Sequence, residues 1–203
     1  MPEEWKPGYR RTIDIEDLPL RYVGIQNLIG ERYGFGEDEM SGLENFAAKT
    51  ALIESEGGTV NPRSSASGIY QFLSRVGGGQ NSFQTGMNRL RTSYDLFESR
   101  SPDWVSEVEE DSEAGDLAPE HQKELFFGNL FSRIKSPKLT EKLFRGAAAG
   151  DLDSQVRLYM DYHHGPGGTK EQRRKARERA ISIYGGRYYG GGLIRNPHGS
   201  RYI

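Results

Sequence analysis

Apolar side chains recur at steps of three and four residues in several stretches of this chain, which is the spacing of an amphipathic α-helix. Turns rich in glycine or proline separate many of these stretches, and such turns end helices. The pattern therefore predicts a mainly α protein whose helices share one apolar core. The predicted helices span residues 21–33, 43–55, 82–98, 119–134, 138–145, 151–162 and 169–184.

The two ends of the chain differ in composition from the part between them. Residues 1–20 are rich in proline and charge, and residues 185–203 are rich in glycine. Neither composition favours a packed element, whereas 203 residues are enough for one domain with a core. We therefore expect an N-terminal arm over 1–20, a helical domain over 21–184 and a C-terminal tail over 185–203.

Composition excludes several classes of function. The chain has no cysteine, so disulfides, iron–sulfur clusters and thiol nucleophiles are excluded. Its four histidines lack a metal-binding spacing, and we expect no metal and no other cofactor. A net charge of −2 does not favour nucleic acid as a partner. No stretch reads as a signal peptide or a membrane span, so we expect neither a signal peptide nor membrane insertion.

One predicted helix carries an acidic residue at the end of its apolar face. Ser41 and Glu44 have the spacing of a capping box, which predicts a helix over 43–55 that Gly57-Gly58 ends. The side chains that share one face of this helix are Leu43, Phe46, Ala47, Thr50 and Glu54. A carboxyl held against an apolar core has a raised pKa, which suits it to donate a proton. Glu54 is therefore the candidate catalytic residue.

The chain resembles the lytic transglycosylases of the lysozyme-like superfamily in two separate places. The first is Glu54-Ser55, followed by Asn61-Pro62 and a small-residue loop that ends in Gly68-Ile69-Tyr70-Gln71. The second runs from Tyr162 through His163-His164 to Gly165-Pro166-Gly167, where the family has Tyr-Asn-Ala-Gly-Pro-Gly. Tyr-Gln-Phe in the first motif and a histidine near the second are similar to phage-encoded, virion-associated members, whereas cellular members commonly have Met in place of Tyr70.

The resemblance implies a lysozyme-like helical domain of the goose-type or soluble lytic transglycosylase kind, with a small β-hairpin or loop after the catalytic helix. It also implies that protonated Glu54 donates to the glycosidic oxygen between N-acetylmuramic acid and N-acetylglucosamine. Glu54 then removes the proton of the muramic 6-hydroxyl, which closes a 1,6-anhydro ring. One residue is first acid and then base, in contrast to the usual pair of carboxylates.

The same resemblance implies a substrate-binding set around Glu54. Ser55 is expected near Glu54 or the acetamido group of the substrate, and Gln71 is expected to line the sugar groove. The backbone of Gly68 is expected to approach the substrate closely, since a Cβ would obstruct it. Tyr162 is expected to hold the Glu54 carboxyl through its hydroxyl.

Each of these residues also has a plain structural interpretation. The alternative for Glu54 is a solvated acid at a helix end, which the downstream motifs disfavour, and Glu56 is a rival acid that points away from the apolar face. Tyr162 would serve as a core tyrosine. His163 and His164 are expected to be turn residues or a hydrogen-bonding partner for the loop. The basic residues between 170 and 179 are expected to form an exposed helix face.

The sequence thus favours a peptidoglycan lytic transglycosylase, carried to the cell wall as a component of a phage virion that also binds other virion proteins. Two alternatives stay open at this point. One is a hydrolytic muramidase that uses Glu54 with a positioned water. The other is a structural virion protein that keeps the fold with little activity, which the replacement of Asn-Ala by His163-His164 keeps open.

Overall fold

The computed structural model describes residues 24–55, 66–73, 82–109, 112–164 and 169–186. Both predicted arms lie almost entirely outside these residues. The described part is mainly α-helical, as the sequence predicts, with one antiparallel pair of two-residue strands. The elements in chain order are α1 (Ile25–Tyr33), α2 (Glu37–Ser55), β1 (Ala66–Ser67), β2 (Phe72–Leu73), α3 (Ser82–Leu96), α4 (Asp103–Glu107), a 3-10 turn (Ala114–Asp116), α5 (Pro119–Arg133), α6 (Pro137–Ala148), α7 (Leu152–Arg157), a π-helical segment (Leu158–His164) and α8 (Lys170–Tyr184).

Helix α5 lies at the centre of the described residues. Pro119 occupies its first turn, as predicted, and every residue from Gln122 to Phe131 is buried. A helix buried on all sides must have neighbours all round: α3, α1 and the π-helical segment pack against it. Gly128 permits the close approach of α3, because a Cβ there would run into Leu90, and Ser93 Oγ donates to the Gly128 carbonyl at 2.9 Å.

Helix α2 begins earlier than the sequence analysis placed it. It starts at Glu37, and the Gly36 N–H donates to Glu39 Oε2 at 3.1 Å. Acidic residues in the first turn stabilise a helix N-terminus, and α2 has three of them there. The predicted capping box at Ser41 and Glu44 is therefore wrong, because both residues lie inside the helix. Glu44 instead accepts from Lys123 Nζ of α5 at 2.8 Å.

The apolar face predicted for α2 is confirmed. Leu43, Phe46, Ala47 and Thr50 are all fully buried. This face packs against α6 and α8. The face continues along the helix to Glu54, so the same periodicity that builds the core carries the carboxyl into it.

The strands β1 and β2 frame a tight turn over Gly68–Gln71. Ala66 pairs with Leu73 and Ser67 with Phe72. The turn is fixed to α5, because the Ile69 N–H donates to Gln122 Oε1 at 2.6 Å. The Tyr70 ring stacks on Phe126 with 4.5 Å between centroids. A loop in this position is therefore held by the core itself.

The C-terminal helices lie close to where they were predicted, but the segment Leu158–His164 is π-helical and not α-helical. Thr169 and Gln172 form the predicted capping box of α8, with Thr169 Oγ1 accepting from the Gln172 N–H at 3.2 Å. The basic side chains of α8 are largely exposed, as expected. The helix predicted over 151–162 is regular only to Arg157 and continues as the π-helical segment. His163 and His164 belong to that segment and not to a tight turn.

Residues 102–124 are rich in acidic side chains, a composition typical of a solvated loop, yet the structure gives them regular elements. The stretch contains α4 and the 3-10 turn, and Val105 and Ala114 anchor these two elements in the core. Lys123 and Glu124 are also buried in α5. No helix in the described part of the chain has the combined length and apolarity that a bilayer crossing requires.

Replacing Gly42 by alanine tests the packing of α2 on α6. A Cβ at Gly42 would overlap the backbone of Ala148, which has no side-chain freedom to yield. Alanine gains at most about 1 kcal/mol of helix propensity over glycine, whereas overpacking costs about 1–3 kcal/mol or more. We expect Gly42→Ala to lower the free energy of unfolding by about 2 kcal/mol in urea titrations.

The matched control is Gly36→Ala, since nothing lies within 4 Å of a Cβ at Gly36. This variant should lose less than about 1 kcal/mol, the scale of a change at a helix N-terminus. Equal losses in the two variants would contradict the described crossing of α2 and α6.

Candidate active site

The Glu54 carboxyl lies where three elements meet. It sits in the last turn of α2, one turn beyond the buried Thr50. The π-helical segment brings Tyr159 and His163 to it, and α8 brings Arg179 into its electrostatic field. Only 15% of the Glu54 side chain is exposed. The sequence prediction of a carboxyl turned towards the core is confirmed.

Burial dominates the electrostatics of Glu54. It raises the pKa of the carboxyl to about 7, because a low-dielectric surrounding penalises the carboxylate. A hydrogen bond with the Tyr159 hydroxyl and the positive charge of Arg179 act in the opposite direction but do not cancel the effect of burial. Near neutral pH the carboxyl is therefore about evenly divided between its two forms, which allows it both to give and to take a proton.

The hydroxyl that contacts Glu54 belongs to Tyr159 and not to the predicted Tyr162. A π-helical turn holds more residues than an α-turn, so each residue advances by less than the 100° of an α-helix. The side chains of Tyr159 and Tyr162, three positions apart, therefore point in directions that differ more than they would in an α-helix. Tyr162 is half-buried, and its carbonyl accepts from Arg133 Nη1 at 2.5 Å. The prediction of Tyr162 came from the resemblance in the second motif, which carries no information on the π-helical register that brings Tyr159 to Glu54.

Tyr159 is itself part of a buried aromatic group. Its side chain is almost fully buried, and burial next to Glu54 raises its pKa, so the hydroxyl keeps its proton and can donate. Its ring meets the Tyr184 ring edge to face at 6.3 Å. The Tyr184 hydroxyl lies 2.8 Å from Thr50 Oγ1, which donates to the Phe46 carbonyl at 2.9 Å. The position of Tyr159 is therefore fixed from α2 and α8 together.

His163 joins the π-helical segment to the turn between the strands. Its Nε2 lies 3.1 Å from the Tyr70 carbonyl, so this nitrogen carries the proton. The sequence prediction that a histidine here hydrogen-bonds the loop is confirmed. Burial, with further contributions from the nearby charges of His164 and Arg133, lowers the pKa of His163 to about 3. The ring is therefore neutral, and its 3.7 Å separation from Glu54 Oε1 is not an ion pair.

The other predicted binding residues have different positions. A Cβ on Gly68 would meet the Gln122 side chain and the Ala114 backbone, so the close approach that requires glycine is made by the protein. Gly68 also has a φ of 77°, which glycine adopts without strain. The Gln71 amide donates to the Gly68 carbonyl at 2.8 Å and so closes the turn. Ser55 is the last residue of α2, and its side chain lies outside the described residues.

Several of the predicted motif residues cannot be placed. Glu56, Asn61-Pro62 and residues 165–167 lie outside the described part of the chain.

The described residues also form an open cavity of about 290 Å³ on the surface of α7, the π-helical segment and α8. That cavity does not include Glu54; it is lined by Asp153, Val156, Arg157, Met160, Asp161 and Arg177. Among the described residues, no group of histidine and acidic side chains is arranged to hold a metal ion.

Comparison of the chain with protein-family models, with curated proteins and with solved structures finds no match. The functional assignment therefore depends on the geometry around Glu54 and on the sequence motifs.

Exchanging each tyrosine for phenylalanine tests which hydroxyl holds Glu54. Tyr159→Phe removes a donor to the carboxylate and keeps the ring, so the Glu54 pKa should rise by about one unit, the scale of one hydrogen bond to a charged group. Tyr162→Phe should leave the Glu54 pKa unchanged. The carboxyl carbon shift of Glu54, followed by NMR during a pH titration, measures both. A shift in Tyr162→Phe alone would restore the sequence prediction.

The raised pKa of Glu54 also predicts how stability depends on pH. The native state keeps the proton up to about pH 7, whereas the unfolded chain releases it near 4.5. The native state thus binds more protons between these values, and the contribution of Glu54 to stability is lost as pH rises. Glu54→Gln removes this loss, so at pH 8 the variant should be more stable than wild type by on the order of 2 kcal/mol.

At pH 4 wild type and Glu54→Gln should differ by much less, since Glu54 is then protonated in both the native and most of the unfolded molecules. Urea unfolding at pH 4, 6 and 8 measures the difference. The matched control is Glu31→Gln, which makes the same chemical change at an exposed glutamate. A difference between wild type and Glu54→Gln that does not grow with pH would show that the carboxyl is not held in a low-dielectric site.

Proposed function

We propose that this chain is a peptidoglycan lytic transglycosylase with a lysozyme-like domain, in which Glu54 is the sole acid and base. The observation that carries the proposal is a glutamate buried at the end of an apolar helix, beside Tyr159 and His163, where burial raises its pKa to about 7. A group with this pKa is efficient both as a donor and as an acceptor of protons near neutral pH. The two sequence motifs supply the substrate class.

The proposed reaction needs one carboxyl and no water. The Glu54 proton moves to the oxygen of the departing N-acetylglucosamine as the bond from that oxygen to C1 of N-acetylmuramic acid breaks. The N-acetyl carbonyl of the muramic residue stabilises the positive charge that develops at C1. The Glu54 carboxylate then takes the proton of the 6-hydroxyl as that oxygen bonds to C1. The product is a 1,6-anhydro sugar, and Glu54 is protonated again.

The surroundings of Glu54 fit the two halves of this reaction. In the first half burial keeps Glu54 protonated near neutral pH, so the proton is present when the leaving oxygen is ready to accept it. In the second half the Tyr159 hydroxyl stabilises the carboxylate until it recovers a proton. Ser55 remains a proposed substrate contact, whereas Gly68 and Gln71 serve the reaction by shaping the turn beside the site.

The proposal extends to the setting in which the enzyme acts. The Tyr70-Gln71-Phe72 run and the histidines after Tyr162 are similar to virion-associated members of the family. We therefore propose that the chain is a component of a phage particle, that it opens the host cell wall during genome delivery and that it binds other virion proteins. Peptidoglycan is its proposed substrate.

Digestion of purified peptidoglycan tests the proposal. Wild type should release fragments that end in 1,6-anhydromuramic acid, which mass spectrometry distinguishes because they are one water lighter than hydrolytic fragments. Glu54→Gln should lower the rate by at least about 100-fold, the usual contribution of a general acid. Glu31→Gln, which changes an exposed glutamate, should digest at the wild-type rate.

The other outcomes identify the alternatives. Fragments with reducing ends, still dependent on Glu54, would make the protein a muramidase. Equal digestion by wild type and Glu54→Gln would refute the site. No digestion by correctly folded wild type on walls of several chemotypes would favour a structural role.

A further inference from the structure

The imidazole of His163 occupies a place that packing alone does not explain. Only 6% of its side chain is exposed. Four aromatic rings surround it, with centroids between 5.0 and 6.4 Å away, and they belong to Phe126, Phe72, Tyr159 and Tyr70. Nδ1 is buried and has no hydrogen-bond partner among the described residues. An unpaired buried nitrogen costs free energy, whereas phenylalanine would fill the same cage at no such cost. The contacts of the other ring nitrogen, Nε2, must therefore explain why this position holds a histidine.

The proton on Nε2 has two acceptors in front of it. The Tyr70 carbonyl lies 3.1 Å away and accepts the hydrogen bond in the present state. Glu54 Oε1 lies 3.7 Å away, which is too far for a hydrogen bond. A displacement of less than about 1 Å would bring Nε2 within hydrogen-bonding distance of the carboxylate. A negative charge on Glu54 would favour that displacement, because hydrogen bonds to ionised acceptors are stronger than those to neutral carbonyls.

We propose that His163 is a positioning residue for Glu54. While Glu54 is protonated, the Nε2–H of His163 donates to the Tyr70 carbonyl. Once Glu54 has lost its proton, the same Nε2–H donates to the Glu54 carboxylate. No proton leaves the imidazole at any point. The carboxylate then has two neutral donors, His163 Nε2–H and the Tyr159 hydroxyl. When Glu54 recovers a proton, the imidazole returns to the Tyr70 carbonyl. This role in turnover rests on the proposed function, whereas the contact between the two side chains does not.

The surrounding charges keep His163 a neutral donor. On its own segment it faces His164 and Tyr159, from α5 it faces Arg133, from the turn it faces Tyr70, and from α2 it faces Glu54. The positive charge of Arg133 and the proximity of His164 both oppose a second proton on the ring. A cationic imidazole would pair with Glu54 and lower its pKa, and Glu54 would then no longer be an acid near neutral pH.

The Glu54 titration in variants of His163 tests the contact. His163→Phe fills the cage without a donor, so the Glu54 pKa should rise by about one unit in a carboxyl-carbon NMR titration. His163→Gln restores an N–H near the position of Nε2, and the pKa should return towards the wild-type value. His121→Phe makes the same chemical change at a histidine that stacks on Trp104 and should leave the Glu54 pKa unchanged.

A merely structural role for His163 predicts a different result. Phenylalanine would fill the cage and leave the Glu54 pKa unchanged, whereas glutamine would pack less well, admit water to Glu54 and lower its pKa. A fall or no change in His163→Phe would therefore overturn the proposal. Nitrogen NMR on the wild type provides a check that needs no variant: His163 must be protonated at Nε2 alone, and protonation at Nδ1 would equally overturn it.

Turnover of peptidoglycan then separates this inference from the proposed function. The basic limb of the kcat profile against pH should move up with the Glu54 pKa in His163→Phe, and kcat should fall about tenfold with KM unchanged. If the Glu54 titration changes in His163→Phe but wild type does not turn over peptidoglycan, the contact between the two side chains is supported and the proposed enzymatic activity is refuted. Wild-type turnover with an unaltered Glu54 titration in His163→Phe would refute the positioning role and leave the enzyme in place.

Discussion

The burial of one ionisable carboxyl is the constraint on which this site depends. Glu54 continues the apolar face of α2, and the elements packed on that face exclude most of the water that would otherwise solvate a carboxylate. The resulting penalty outweighs the favourable contributions of Tyr159 and Arg179, so the pKa stays near 7. A stronger donor set would make Glu54 an ordinary carboxylate, and a drier site would keep it permanently protonated.

The rest of the fold holds the few groups that set this balance. Helix α5 is buried on all sides and anchors the turn between the strands through Gln122, while the Tyr70 ring rests on Phe126. The Tyr70 carbonyl in turn faces His163. The turn and the π-helical segment therefore have a defined separation, and Glu54 lies beside their junction. A π-helical turn is a costly irregularity that is often found at functional sites, and here it brings Tyr159 to Glu54 and His163 to the turn.

The sequence predicts the helices and the acidic residue correctly, but not the side chains that surround that residue. Periodicity gave the buried face of α2, and local capping chemistry gave the start of α8 at Thr169, because both signals are short in range. The start of α2 was misplaced because Ser41 and Glu44 matched a capping pattern that the acidic first turn from Glu37 outweighs. The choice of Tyr162 came from the resemblance to the family motif, and it failed because the π-helical segment, whose register depends on tertiary packing, brings Tyr159 to Glu54 instead.

A direct titration of Glu54 in the wild-type protein tests the central claim. The carboxyl carbon of Glu54 can be followed by NMR from pH 3 to pH 9 in the folded protein, without substrate. The described site predicts a midpoint at about 7. A midpoint near 4.5, the ordinary value for a glutamate, would mean that the carboxyl is solvated and would remove the basis for its role as acid and base.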